Sequence, residues 1–271
     1  MTRIRSITVL LRAAVLAACS KDSVQKIAGP TAGAFIKFYN ASVNAPAVNF
    51  YANDVKVTAI NATGCTPLTQ SSDPKCLTTG VEAVTGTAYG AVGNGGLYSS
   101  IAPASYTFTG RITAAIDNGL AVSKLTTALG DGKYYSYYQS GFYDPNAKTS
   151  DAFVVEDPVP AAIDFTVANV RFVNAISNSV PMILYAKSTV SGAEVAVGGA
   201  VAYKSAGTFV ALPGAFYDLN VRTAGSAANA ITRTGVSFVA GRVYTVSARG
   251  DITVTSATAA NRPILDNTAN R

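Results

Sequence analysis

Histidine does not occur among the 271 residues, and this removes most catalytic arrangements built on a nucleophile. A Ser-His-Asp or Cys-His group needs an imidazole to take the proton, and imidazole nitrogens are the usual partners of cysteine at zinc. Ser72-Asp73-Pro74-Lys75 has the spacing of a Ser-x-x-Lys pair, but that pair works from one helix face and Pro74 opposes a helix. Gly93-Asn94-Gly95-Gly96 lacks the Lys-Ser/Thr and following helix of a phosphate loop and reads as a turn. The three glutamates, Glu82, Glu156 and Glu194, fall in a loop, a strand and a hairpin, which supplies no obvious carboxylate pair for glycoside hydrolysis. Asp144, Asp151, Glu156 and Asp157 cluster in sequence without the Asp-x-Asp alternation and central glycine of a calcium loop, and read as a solvated acidic linker. The inventory predicts no enzyme, no metal and no cofactor.

The cysteines carry the chemistry that remains. Residues 1–18 have a basic start, a short apolar stretch from Ser6 to Ala18 interrupted by Arg12, and small residues before Cys19, the pattern of a secretory signal. The stretch is shorter than the roughly 20 residues that span a bilayer. Leu16-Ala17-Ala18-Cys19 resembles a lipobox, which implies cleavage before Cys19 and acylation of its thiol and new amine. Several acyl chains on one residue anchor stably where one is marginal. Ser20-Lys21-Asp22-Ser23 is similar to the Cys-x-Lys-Asp start of many Bacteroidetes lipoproteins of the outer membrane, and residues 19–32 are expected to be a lipidated tether. Cys65 and Cys76 lie in an insertion; in an oxidising compartment an even pair is expected to form a disulfide. A metal is the rival, poorly supplied by two thiols without histidine.

Charge and composition narrow the partners. The formal charge is +6, but Arg3, Arg5 and Arg12 of the leader account for half of it, and the other basic residues are scattered. No basic run tracks a phosphate backbone, so nucleic acid is not an expected partner. Hydrophobic residues reach 49% and charged ones only 13%, about half the usual share, so Ser, Thr, Asn and Gly must furnish the polar surface. With 14 tyrosines this suits strands and turns.

The elements themselves repeat. Ile36-Lys37-Phe38-Tyr39-Asn40-Ala41 recurs as Val170-Arg171-Phe172-Val173-Asn174-Ala175, and Val48-Asn49-Phe50-Tyr51 as Met182-Ile183-Leu184-Tyr185. Ala88-Tyr89 matches Ala202-Tyr203, and Pro103-Ala104-Ser105-Tyr106 matches Pro213-Gly214-Ala215-Phe216. Gly132-Lys133-Tyr134-Tyr135-Ser136 and Gly141 match Gly241-Arg242-Val243-Tyr244-Thr245 and Gly250 at identical spacing. Short alternating stretches between Gly, Pro, Asn and Asp predict an all-β chain of two tandem β-sandwiches. The first is expected over residues 33–157, closed by a strand at 152–156, and the second over 163–271, closed near Pro263-Ile264-Leu265-Asp266. Residues 158–162 make the linker.

The run Lys37-Phe38-Tyr39-Asn40-Ala41-Ser42-Val43-Asn44-Ala45-Pro46-Ala47-Val48-Asn49-Phe50-Tyr51 resembles the signature of domain of unknown function 4397, with Asn49 where that family usually has Asp. The second copy departs further, with Ile176 for Ser and an insertion before Pro181. The resemblance implies sandwiches of immunoglobulin or transthyretin type in a secreted or lipid-anchored bacterial protein, and no activity.

One strand differs between the copies. Tyr135 and Tyr137 match Tyr244 and Val246 and should face the core, which puts Tyr134 and Tyr138 on the other face with Phe142 and Tyr143 close behind. These four form a candidate ligand-binding face, since tyrosine combines a stiff apolar plate with a polar tip. Packing of that face on the second domain, and ordinary strand tyrosines, are the alternatives. The expected role is a non-catalytic structural or adhesive lipoprotein of the cell envelope, on the outer membrane, held by acylated Cys19. The alternative is an accessory lipoprotein of a surface uptake system that binds an extracellular glycan or peptide.

Overall fold

A computed structural model describes residues 33–58, 86–160 and 162–270. Cys19, Cys65, Cys76 and Ser72–Lys75 lie outside the described residues. The chain is almost entirely β, with no α-helix among the described residues.

In the first half, β1 (Ala34–Asn40), β4 (Ser99–Ile101), β7 (Tyr134–Asp144) and β8 (Thr149–Glu156) form a sheet in the order β4-β1-β7-β8. A second sheet has the order β3-β2-β5-β6, from β2 (Val48–Ala52), β3 (Val55–Lys56), β5 (Ser105–Ile112) and β6 (Ala121–Ala128). The second half repeats this plan. β9 (Val167–Asn174), β16 (Val243–Arg249) and β17 (Ile264–Ala269) follow the order of β1, β7 and β8, while β12 (Ser205–Ala206) and β13 (Val210–Pro213) pair with β9 where β4 pairs with β1. β10 (Met182–Ser188), β11 (Glu194–Ala196), β14 (Ala215–Thr223) and β15 (Ile231–Phe238) run β11-β10-β14-β15. In each half one pair is parallel, β1 with β7 and β9 with β16, and its register matches: Lys37 lies opposite Ser136, and Arg171 opposite Thr245.

Each half has its own apolar core between its two sheets. Ile36, Phe38, Phe50, Phe108 and Tyr137 build the first, and Val170, Phe172, Leu184, Leu219 and Val246 the second. Tyr135 and Tyr137 face the core as their spacing predicts. The burial patterns show which sheets lie innermost. β10 alternates buried and half-buried positions along most of its length, as a strand covered on one face does. By contrast β7 is buried from Tyr135 to Gly141 and β16 from Val243 to Ala248, because both faces are covered. The second covering is the other half. Tyr39, Tyr138 and Phe153 share one apolar cluster with Val173 and Ala175, so the β1-β7-β8 face packs on the β9-β16 face, and Gly33–Arg271 forms one compact unit.

Two repeat features are set by turns. Gly132 and Gly241 have φ of +68° and +78°, a left-handed conformation open to glycine, at the tight bends that enter β7 and β16. Tyr106 donates its hydroxyl to the Ala102 carbonyl and Tyr217 donates to that of Pro213, each four residues back at 2.9 Å. This bond corrects one predicted match: Tyr106 corresponds to Tyr217, not Phe216. A one-residue slip moves a side chain to the opposite sheet face, and Phe216 is indeed 57% exposed.

Candidate functional site

Among the described residues, a dense group of buried polar side chains lies where the halves meet. Lys37 of β1 and Arg171 of β9 occupy equivalent positions on the two inner sheets, and both are fully buried. Each reaches across to the other half. Arg171 Nη1 donates to the Glu156 carbonyl at 2.9 Å, and Lys37 Nζ donates to the Ala269 carbonyl at 2.8 Å. Glu156 and Ala269 are themselves equivalent, lying opposite Tyr135 and Tyr244. The next residues are equivalent too: the Asp157 amide bonds to the Tyr134 carbonyl and the Asn270 amide to that of Val243, both at 2.7 Å. The joint is therefore reciprocal, as in an isologous dimer, although both surfaces belong to one chain.

Tyr89 and Tyr203 extend the pattern. Tyr203 shares a 2.9 Å hydroxyl bond with Ser140, and Arg249, the residue equivalent to Ser140, lies 4.7 Å from the Tyr89 ring. Two equivalent tyrosines thus each touch the matching place on the opposite half.

Asp157 organises the charged side. Its Oδ1 accepts from Arg171, its Oδ2 accepts from Tyr98 at 2.7 Å and Ser136 at 2.8 Å, and both partners of the ion pair are wholly buried. Asn270 takes the matching place in the second half and donates to Thr245 Oγ1 at 2.8 Å, which also accepts from Arg171 Nε at 3.0 Å. Two cations thus face one carboxylate. Burial is the main force on Lys37, with the carboxylate of Asp157 opposing it and the guanidinium of Arg171 adding to it, and its pKa is lowered to about 8. Lys37 also sits 4.3 Å from the Tyr98 ring centroid, whose hydroxyl is pushed up in pKa by burial and then by Asp157. A lysine with a lowered pKa has the chemistry of a nucleophile, but one enclosed to this degree has no route to a substrate.

The acidic cluster near the end of the first half does not act as a group. Asp144 bonds the amides of Asn146 and Ala147 in its own turn, Asp151 pairs with Lys204, and Glu156 pairs with Lys133. Asp157, expected in a solvated linker, is instead buried in the joint because Arg171 and the Tyr98 and Ser136 hydroxyls satisfy its oxygens. No set of three or more Cys, Asp or Glu side chains among the described residues is placed to hold a metal ion.

The four aromatic residues proposed as one face separate. Tyr138 is fully buried, stacked between Tyr39 and Phe153 at centroid distances of 4.4 and 4.9 Å. The open face expected for it is covered by the second half. Tyr134 is half-buried at the joint's rim, stacked on Phe35 and edge-on to Tyr98. Between Ser140 and Asp144 the pairing of β7 with β8 shifts register, so the alternation that links Tyr134 to Tyr138 does not continue. Phe142 ends 43% exposed, and Tyr143 packs against the first core.

A groove of about 460 Å³ is lined in part by Ile231, Thr232, Ile252, Arg262 and Pro263 of the second half. It brings together one arginine with apolar and hydroxyl groups, and no carboxylate. No helix among the described residues is long and apolar enough to cross a membrane. Protein-family models and curated proteins yield no match to this chain.

Proposed function

We propose that the chain is a non-catalytic lipoprotein of the cell envelope, a structural or adhesive module of two tandem sandwiches tethered to the outer membrane through acylated Cys19. On this reading the halves are copies of one immunoglobulin- or transthyretin-like domain related to domain of unknown function 4397. The observation that carries it is the reciprocal joint. The buried polar cluster around Lys37, Arg171 and Asp157 holds the two halves in one fixed relation instead of lining a cleft, which suits a rigid spacer or presenting unit better than an enzyme. The matching strand orders of the two halves support duplication.

Metabolic labelling with a clickable fatty acid tests the anchor, with Cys19→Ser as its partner experiment. Label on the unaltered chain and none on the variant is expected; an unlabelled chain overturns the tethered role. The alternative, a glycan- or peptide-binding accessory protein, no longer rests on Tyr138, which is buried.

A further inference from the structure

The halves differ where their last two strands are joined. Residues 145–148 make a short turn from β7 to β8, whereas residues 250–263 make a long loop from β16 to β17. A loop of that length with no strand of its own is uncommon in a compact domain unless it serves a site. This one is pinned. Gly250 has φ of +113°, and a side chain there would collide with the Arg262 carbonyl, so glycine lets the two ends of the loop meet. The Asp251 amide donates to the Asn261 carbonyl at 2.8 Å, and Asn178 Nδ2 donates to Asp251 Oδ1 at 2.7 Å. Arg262 and Pro263 are thereby held beside β15, with which they line one groove.

The edge of the sandwich differs as well. Arg233 of β15 lies opposite Leu219 as Leu125 of β6 lies opposite Phe108, so an arginine takes the place of a leucine. In the first half Leu125, Ala152 and Val154 all pack against the core and close that edge with apolar side chains. In the second, Arg233 spans the edge and its Nη1 donates to the Leu265 carbonyl of β17 at 2.7 Å. The groove of Ile252 and Arg262 continues here into a hollow of about 350 Å³. Thr232, Arg262 and Pro263 line both parts, and Arg233, Leu265 and Asp266 complete the second. Volumes of this size match sites for small molecules.

Arg262 Nη1 donates to the Ala259 carbonyl at 3.0 Å, and among the described residues neither Arg262 nor Arg233 has a carboxylate partner. The nearby acids are engaged elsewhere. Asp266 pairs with Arg249 at 2.5 Å, and Asp251 accepts from Thr253 and Asn178 within the loop. Two guanidiniums, each with five donors, thus line one hollow without a counter-charge of their own. We infer that this groove binds an acidic sugar of the hexuronate class. An arginine takes the sugar carboxylate in two parallel bonds, the hydroxyls of Thr255 and Ser256 meet those of the ring, and Ile252 and Pro263 cover its carbon face. A peptide added as a strand along β15 fits less well. The pairing of β14 with β15 shifts between Tyr217 and Leu219, and Gly235 at φ of +67° bulges there, which blunts the edge. The inference goes beyond the structural role by naming a ligand class, and it depends on neither the anchor nor the joint.

The test uses the full chain in non-ionic detergent and ligand-observed NMR, with D-glucuronate, D-glucose and inorganic phosphate as probes. Glucuronate is expected to bind, and to bind at least about tenfold more weakly to Arg233→Leu, which restores the residue of the first half, and to Arg262→Ala. Arg242→Ala removes an exposed arginine at the opposite end of β16 and is expected to bind as the unaltered chain does. Failure of the unaltered chain to bind glucuronate overturns the inference. So does an equal loss in Arg242→Ala, or equally tight binding of glucose. Phosphate that binds as tightly as glucuronate overturns it too, by showing a site for any anion. Circular dichroism of each variant confirms that a loss is not unfolding. The fatty-acid result is independent, so either idea can fail alone.

Discussion

On one side of the joint Arg171 meets Asp157; at the equivalent place on the other side, Lys37 has Asn270 in the position of that carboxylate. Backbone geometry is the same in both, since each cation donates to a matching carbonyl, Glu156 or Ala269. Only the charge differs. The apolar part is unequal in the same sense: Tyr39, Tyr138 and Phe153 stack in the first half where the equivalent residues of the second are Val173, Ser247 and Asp266. Two first halves would bring two such three-ring stacks together, and two second halves would bring none. The two sides of the joint thus differ in charge and volume while their backbone contacts match, which favours the unlike pair over either like pair.

The largest effect should come from breaking the charged side. Asp157→Ala leaves Arg171 buried without its counter-charge and is expected to cost about 3 to 5 kcal/mol. Urea denaturation measures this loss. Asn270→Ala, which removes only a neutral amide from the matching site, should cost about 1 to 2 kcal/mol. Equal losses would show that the two sides are energetically alike and would undo the comparison.

Volume comes next. Tyr138→Ser should destabilise by about 3 kcal/mol, because it opens a cavity between two stacked rings at the centre of the joint. The matching substitution in the other half, Ser247→Ala, should change stability by less than about 1 kcal/mol. Thermal melting of the two variants side by side reads the contrast.

The unpaired cation gives a pH signature. In the folded chain Lys37 releases its proton near pH 8, while in the unfolded chain it holds it to about 10.5. Between those values the unfolded state binds more protons, so stability should rise with pH by up to about 3 kcal/mol and then level off. Below pH 8 the full burden of the buried charge remains. Asp157, Arg171 and the phenols of Tyr98 and Tyr39 surround the site, and both phenols are pushed up in pKa mainly by burial, so they stay protonated across this window. Urea midpoints from pH 7 to 10.5 check the slope. Lys37→Met should remove this contribution, and Asn270→Asp should reduce it by supplying the missing carboxylate.

Much of the fold was legible because strand alternation and turn residues are local. Lys37 and Arg171 already stood out as basic residues among apolar ones at one repeat position, and Tyr135 and Tyr137 were read onto the correct face. Their partners were not legible. Nothing local tells that Lys37 bonds Ala269, 232 residues away. Asp157 looked solvated because it precedes a proline-rich linker, and Tyr138 looked open because the domain that covers it is a separate segment.

The smallest effect concerns what the halves still share. Tyr106 and Tyr217 each donate a hydroxyl to a carbonyl four residues back, at the same distance and at the same start of a strand. Neither hydroxyl enters the joint, so neither should feel its asymmetry. Tyr106→Phe and Tyr217→Phe should each cost about 1 kcal/mol, the net worth of one hydrogen bond to an acceptor that water can partly serve. Tyr217 is the more buried of the two, and its loss should lie at the upper end of that range. The double variant should cost the sum, because the two corners share no partner. A sum exceeded by more than about 0.5 kcal/mol would mean that the two corners are energetically coupled across the joint.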